Sequence, residues 1–155
     1  MIPASIEAHL RERYRSYTHH THAAAASAQD LAAAEHVSGH RVAKPVVVRL
    51  GGELALAVVA ATDRVNLSVL EEATGSRAEL MSEAEFCERF RPCDAGAEPP
   101  FAIFGARIFV DLAFIQQWRI VMAAGTHEDA VVLDTGEWLW CERVQPIVNL
   151  GQRAV

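Results

Sequence analysis

Two strand-like segments flank the dipeptide Gly51-Gly52 and together predict a β-hairpin. The first runs over residues 41–50 and the second over residues 53–61, and both are rich in valine, leucine and alanine. Paired glycines adopt the positive φ angles that a tight hairpin turn requires, and the turn fixes which residues of the two strands lie opposite each other. The chain is therefore expected to fold around an antiparallel pair of long apolar strands.

Helices and shorter strands are predicted on both sides of this hairpin. Apolar spacing and capping residues predict helices over residues 2–17, 27–35, 62–74, 82–90 and 135–143. Further strands are expected at residues 17–22, 101–104, 107–111, 119–123 and 130–134. A hairpin among scattered helices indicates the α+β class, because a regular βαβ alternation is absent. The 155 residues contain no repeat and no clear linker, so a single domain over residues 1–155 is expected.

Composition argues against several classes of protein. The three cysteines, Cys87, Cys93 and Cys141, are odd in number and lack CxxC spacing, which fits a reducing cytosol. No apolar run is long enough to span a bilayer and the first residues do not form a signal peptide, so we expect a cytoplasmic protein without a membrane partner. The net charge of −6 argues against DNA and against broad nucleic-acid affinity, although a few contacts suffice to bind one end of an RNA.

Lys44 is the only lysine of the chain, since the other basic residues are arginines. Strand alternation places it on the same face as Val42, Val46 and Val48, in a row that looks core-facing. Pro45, directly after it, indicates the beginning or the edge of a strand. Taken alone, Lys44 is most simply explained as a strand-end residue whose ammonium reaches solvent. The alternative is an ammonium at the floor of a pocket, where it holds an anionic or carbonyl oxygen.

A loop and a turn in the second half of the chain are further candidates. Gly96 allows close approach of the backbone and the following prolines stiffen the loop, so its N–H groups could face a developing oxyanion. His127 stands in a turn between two strands, where it could hydrogen-bond a ligand. A plain connecting loop and a solvated turn are the alternatives. Cys93 could act as a nucleophile only if a base lowered its pKa, and we expect it to be inert.

Histidines near the N-terminus raise the question of a metal site. They are His19, His20, His22, His36 and His40. No cysteine or acidic residue accompanies them in a standard ligand pattern, so neither a metal nor another cofactor is expected. Known phosphate-binding, dinucleotide-binding and serine-hydrolase motifs are also absent.

In their order along the chain, these segments resemble the YbaK/ProX-type aminoacyl-tRNA deacylase family, which is related to the editing domain of bacterial prolyl-tRNA synthetases. The resemblance covers residues 17–149 and rests on a histidine before a small-residue helix and on four segments, VAKPVVVRL, LALAVVAATDRVNL, GAEPPF and AGTHEDAVVL. It implies a curved mixed, partly barrel-like β-sheet flanked by helices. It also implies hydrolysis, in trans, of the ester that joins a wrong amino acid to the 3′-terminal ribose of a tRNA.

The resemblance also implies roles for particular residues. Lys44 and Gly96 match catalytic positions of the family, and the substrate-binding positions are matched by His22, Ala97, Pro99, Phe101 and His127. Met81, Phe101 and Phe104 are expected to shape the walls that select the amino acid side chain.

Pro45 and Ala95 depart from the family pattern, since many relatives have a small or polar residue and a glycine there. These departures favour an alternative, a non-catalytic module that binds an aminoacyl or nucleotide ligand. A metal-dependent hydrolase built on the histidines is a second alternative. Mischarged tRNA is the expected partner, and an acidic domain would need its substrate delivered, so an aminoacyl-tRNA synthetase or an elongation factor is a candidate partner.

Overall fold

The computed structural model describes residues 1–153, within which there are five α-helices and ten β-strands. The helices are α1 (Ala4–Arg13), α2 (Ala28–Ala34), α3 (Leu67–Thr74), α4 (Glu83–Phe86) and α5 (Thr135–Cys141). The strands are β1 (Thr18–Thr21), β2 (Ala43–Leu50), β3 (Glu53–Ala60), β4 (Asp63–Val65), β5 (Ala78–Leu80), β6 (Arg107–Asp111), β7 (Arg119–Ala123), β8 (Asp129–Asp134), β9 (Gln145–Ile147) and β10 (Gly151–Arg153). Within these residues no helix is long and apolar enough to cross a bilayer.

The predicted hairpin is confirmed as the pair β2 and β3. The two strands run antiparallel, from Ala43 opposite Ala60 to Leu50 opposite Glu53. Gly51 and Gly52 have φ angles of 58° and 85°, the left-handed conformation that a tight two-residue turn requires.

The strands form three sheets, and two of them meet at the start of β2. A mixed five-stranded sheet has the order β5-β2-β3-β6-β9, with β6 parallel to both of its neighbours. A second sheet has the order β1-β8-β7, and β10 pairs with β4 in a third. A parallel bridge between Val42 and Val121 links the first two sheets. The predicted α+β fold, with a mixed sheet flanked by helices, is confirmed, although the described strands do not close into one barrel.

The hairpin is covered on both faces, which explains its long apolar runs. On one face, Leu56 and Val58 of β3 pack with Ile6 and Leu10 of α1. On the other face, the apolar residues of β2 and β3 pack with Leu70 of α3. Because every residue of β3 after Glu53 is buried, this strand shows no polar alternation.

Several local predictions were wrong, mainly where short strands pair with distant segments. Residues 101–104 do not form a strand, and Ala102–Phe104 is a 3₁₀ turn. The helix expected from residue 62 begins at Leu67, because β4 first pairs with β10, nearly ninety residues later. The strands β5, β9 and β10 were not predicted, since each has only three residues and its partner lies elsewhere in the chain.

Candidate functional site

A cavity of about 190 Å³ lies where the two larger sheets meet. Four separate segments line it: the residues before and within α2, the start of β2, the loop containing Gly96, and the turn between β7 and β8. It brings together four of the predicted site residues, His22, Lys44, Gly96 and His127. Glu98 and Asp129, which were not predicted, also line this cavity.

Lys44 is half-buried near the start of β2, opposite Val59 of β3. Its Nζ donates a hydrogen bond to the main-chain carbonyl oxygen of Asp63. Burial lowers the pKa of Lys44, and the nearby charge of Asp63 opposes that shift. A lysine ammonium carries three N–H donors, so two remain for a ligand once the bond to Asp63 is made.

The loop and the turn that the sequence singled out are hydrogen-bonded to each other. Gly125 donates its N–H to the carbonyl of Ala97 at 2.9 Å, and its own carbonyl accepts the N–H of Asp94 at 2.9 Å. The Nε2 of His127 donates to the carbonyl of Ala95 at 2.6 Å, and its backbone N–H donates to the Asp94 carboxylate at 3.2 Å. The half-exposed His127 therefore fixes the loop as well as lining the cavity.

Gly96 occupies a position that no other residue fits without strain. Its φ angle is 85°, and a Cβ atom placed on it would lie 2.7 Å from the carbonyl oxygen of Ala26. Its N–H donates to the two carboxylate oxygens of Glu98 at 2.8 and 3.2 Å. The N–H of Ala97 donates to the carbonyl of Asp94 at 3.0 Å. The loop N–H groups expected to face an oxyanion are thus already hydrogen-bonded within the loop.

Glu98 is a buried carboxyl group at the cavity, with 6% of its surface exposed. Burial raises the pKa of Glu98, and the hydrogen bonds from Gly96 only partly offset this effect. The sequence offered one signal for it, a single acidic residue inside the apolar segment between Ala97 and Pro99. A carboxyl group whose pKa is shifted towards neutrality can accept or donate a proton in a cavity of this kind.

His22 is held with one ring nitrogen unsatisfied. Its side chain is 4% exposed, and its Nδ1 donates to the carbonyl of Ala23 at 2.7 Å. Its Nε2 is buried without a hydrogen-bond partner, 3.9 Å from the Glu35 carboxylate.

The carboxylate of Asp129, in the cavity wall, has three polar contacts. It accepts hydrogen bonds from His19 at 2.6 Å and Thr126 at 2.6 Å, and it lies 2.9 Å from the amino group of Met1. Burial acts to raise the pKa of Asp129, but these contacts outweigh it and lower the pKa to about 2. His20 instead contacts Glu35 at 2.6 Å. Within residues 1–153, no three His, Cys, Asp or Glu side chains are placed to hold a metal ion.

The remaining predicted residues are buried or half-buried and do not line the cavity. Ala97, Pro99 and Phe101 are buried, and the Phe101 ring packs 5.0 Å from the ring of His9. Met81 and Phe104 pack against the same core. Cys93 is half-buried, and burial raises its pKa to about 12, which keeps it a thiol as expected for an inert cysteine.

The fold and the site define a mixed α+β domain with a small cavity built from one lysine, a glycine-containing loop and two histidines. The chain belongs to the aminoacyl-tRNA editing domain family, whose model matches residues 22–139, about three-quarters of its length. The resemblance inferred from the sequence is thereby confirmed.

Solved structures with low sequence identity share the fold. A proposed trans-editing enzyme for prolyl-tRNA synthetase superposes with a TM-score of 0.82 at 17% identity, covering 99% of this chain and 100% of that one. A hypothetical protein superposes with a TM-score of 0.85 at 17% identity, covering 95% and 99%. A proposed signal transduction protein from Marinobacter aquaeolei VT8 gives a TM-score of 0.73 at 12% identity, with 96% of this chain matching 31% of that one. No curated protein sequence matches this chain.

Proposed function

We propose that this protein hydrolyses the ester bond of mischarged aminoacyl-tRNA in trans, after a synthetase has attached the wrong amino acid. The proposal is carried by one observation: Lys44, Gly96, His22 and His127 meet at one cavity in a chain that belongs to an editing family. Residues 1–155 act as a single cytoplasmic domain in this proposal. A synthetase or an elongation factor that delivers the tRNA is a further candidate partner.

The proposed reaction transfers no group to the protein. A water molecule attacks the carbonyl carbon of the ester, whose oxygen becomes an oxyanion, and the bond to the ribose oxygen then breaks. The proton that the attacking water loses is taken up by the ribose oxygen, and the free amino acid and the tRNA leave. Because an aminoacyl ester is already activated, the protein has to position the water and stabilise the oxyanion rather than supply a strong nucleophile. The substrate's own ribose 2′-hydroxyl is proposed to help orient that water.

Lys44 is assigned to the terminal phosphate or to the carbonyl oxygen of the aminoacyl-adenosine. Its two uncommitted N–H donors and its position at the cavity support this role. Gly96 is assigned to the scissile carbonyl, and we propose that the substrate oxygen displaces the Glu98 carboxylate from its N–H on binding. His22 and His127 contact the substrate, whereas Ala97, Pro99 and Phe101 hold the shape of the loop.

A binding module without turnover is the second candidate, and one contact favours it. Since the Gly96 N–H is already satisfied by Glu98, a ligand could occupy the cavity without gaining an oxyanion donor. In that case an aminoacyl-adenosine analogue would raise the melting temperature of the protein, and no mischarged tRNA would be cleaved.

Deacylation of a panel of mischarged tRNAs by the purified protein tests the proposal. Removing one donor from an oxyanion site typically costs a factor of about 10²–10³ in rate, so Lys44→Ala is expected to lose at least about a hundredfold. Lys44→Arg keeps the charge, and its activity tests whether the broader guanidinium fits the cavity. Arg77→Ala is the control, because Arg77 is 82% exposed and does not line the cavity. Full activity of Lys44→Ala on every cleaved substrate would contradict the assignment.

A further inference from the structure

Two large aromatic side chains lie exposed outside the cavity. Trp118 is 69% exposed and Trp140 is 84% exposed, whereas the third tryptophan, Trp138, is fully buried. Trp140 lines an open groove of about 930 Å³ between the end of α1 and α5. Trp118 lines an adjoining depression, and Asp134 contributes to both.

Four arginines surround these tryptophans, and we call the six residues the tryptophan surface. They are Trp118, Trp140, Arg13, Arg15, Arg119 and Arg143. All four arginines are exposed, and within residues 1–153 none of them forms an ion pair. The Arg119 guanidinium stacks over the Trp118 ring at 4.4 Å.

Three carboxylates share the groove, and two of them are engaged by backbone N–H groups. Glu137 accepts the N–H of Arg15 at 3.0 Å, and Asp134 accepts the N–H of Glu137 at 2.9 Å. Glu12 is the third. Against these three carboxylates, the four arginines leave the region with a net charge of +1, in a chain whose net charge is −6.

Arg143 occupies a backbone position where glycine is usually found. It follows the last residues of α5 with a φ angle of 53°, and helices that end in this left-handed conformation usually place glycine or asparagine there. Glycine would fit this backbone conformation best, so a long cationic side chain at this position indicates a functional role.

The tryptophan surface and the cavity lie at opposite ends of the same strand. Asp129 at the start of β8 lines the cavity, and Asp134 at its end lines the groove. Five steps along an antiparallel strand span about 17 Å. At the 3.4 Å spacing of stacked nucleotides, this corresponds to about five nucleotides. The neighbouring strand β1 is exposed along its whole length between the two sites.

We propose that the tryptophan surface binds the acceptor stem of an RNA whose single-stranded 3′ end runs along β1 into the cavity. The identity of this ligand depends on the function proposed above. The new inference is the surface that binds it. Unpaired arginines bind phosphates, and exposed tryptophans stack on bases or ribose. A protein partner could also use tryptophan and arginine, but it would not require the match between the β8 span and a short single-stranded end.

Binding of an uncharged RNA hairpin, with an acceptor stem and a CCA end, tests the surface independently of hydrolysis. Fluorescence anisotropy of the labelled hairpin gives the affinity. Removing an aromatic stacking partner typically weakens binding by roughly tenfold, so Trp140→Ala is expected to show a loss of that size, and Trp140→Phe to recover most of it. Arg143→Glu is expected to weaken binding and to reduce the salt dependence by about one released ion.

Arg77→Glu is the matched control, because it makes the same charge change at an 82% exposed arginine outside the groove. On a short aminoacyl-adenosine substrate, Trp140→Ala should keep the wild-type rate, while KM for the full aminoacyl-tRNA rises. Wild-type affinity for the hairpin in both Trp140→Ala and Arg143→Glu overturns the proposal. So does a change in oligomeric mass without a change in RNA affinity, which would assign the surface to a second copy of the chain. If no tRNA is deacylated but hairpin binding responds as expected, only the proposed reaction fails.

Discussion

Replacing Gly96 with alanine tests how closely the loop approaches the segment before α2. Two separate features oppose a side chain here. The φ angle of 85° lies in the left-handed region, and the added Cβ would lie 2.7 Å from the carbonyl oxygen of Ala26. That oxygen belongs to the backbone, so it cannot turn aside as a flexible side chain would. The loop and the segment before α2 must therefore move apart, and both line the cavity.

Gly52 provides a matched control for the backbone part of this cost. Its φ angle is also 85°, but a Cβ placed on it meets no atom within 4 Å. Alanine in the left-handed conformation costs about 1–2 kcal/mol at either position. The gain from restricting the unfolded chain, about 0.4–1 kcal/mol, is also shared by both variants. The difference between them therefore isolates the steric contact, which we expect to cost about 1–3 kcal/mol, as overpacking typically does.

Urea denaturation of Gly96→Ala, Gly52→Ala and the wild type gives the three free energies of unfolding. Gly96→Ala is expected to be the less stable variant by about 1–3 kcal/mol. It is also expected to lose deacylation activity, which Gly52→Ala should retain. Equal stability of the two variants would refute the close approach of Gly96 to Ala26. Equal activity would show that the loop position does not matter for the reaction.

Two further predictions concern the carboxyl groups of the cavity. Because burial raises the pKa of Glu98, its contribution to stability is greatest below the unfolded value of 4.5 and is lost as pH rises through the folded pKa. Between pH 4.5 and 7.5, urea denaturation should therefore show the wild type losing stability relative to Glu98→Gln, and a constant difference would contradict this. Asp129 has the opposite sign, since its pKa falls from 3.8 to about 2, so its contribution of about 2 kcal/mol is present above pH 4 and is lost towards pH 2. Asp129→Asn should lack this acid-dependent loss in thermal unfolding, and an unchanged pH profile would show that its hydrogen bonds do not stabilise the carboxylate.

The parts of the site that could be predicted from the sequence depend on local chemistry. Paired glycines specify a hairpin, and the hairpin placed Lys44 on a strand at the correct position. Gly96 and the turn with His127 stand in short segments whose residue types restrict the backbone by themselves. The family resemblance supplied what local rules do not, namely that these distant segments meet at one cavity.

What could not be predicted depends on contacts between distant parts of the chain. The carboxylate of Asp129 in the cavity wall accepts a hydrogen bond from His19, which lies 110 positions earlier in the chain. The pairing of β4 with β10 overrides the start of a helix for the same reason. The bond from Gly96 to Glu98 spans only two residues, but it forms because the loop is held in place by Gly125 and His127.

Pro45 was one of the two departures that favoured a binding module, and it lies on the outer edge of β2. The carbonyl of Val47 accepts the N–H of Met81, so Val47 faces the outer edge of β2, away from β3. Pro45 lies two residues earlier and therefore faces the same edge. On this edge β5 pairs with Val48 to Leu50 and β7 is bridged at Val42, so within residues 1–153 Pro45 falls between the two partners of β2. The contact that most directly separates a deacylase from a binding module is the bond from the Gly96 N–H to Glu98, because an oxyanion can use this donor only after substrate displaces the carboxylate.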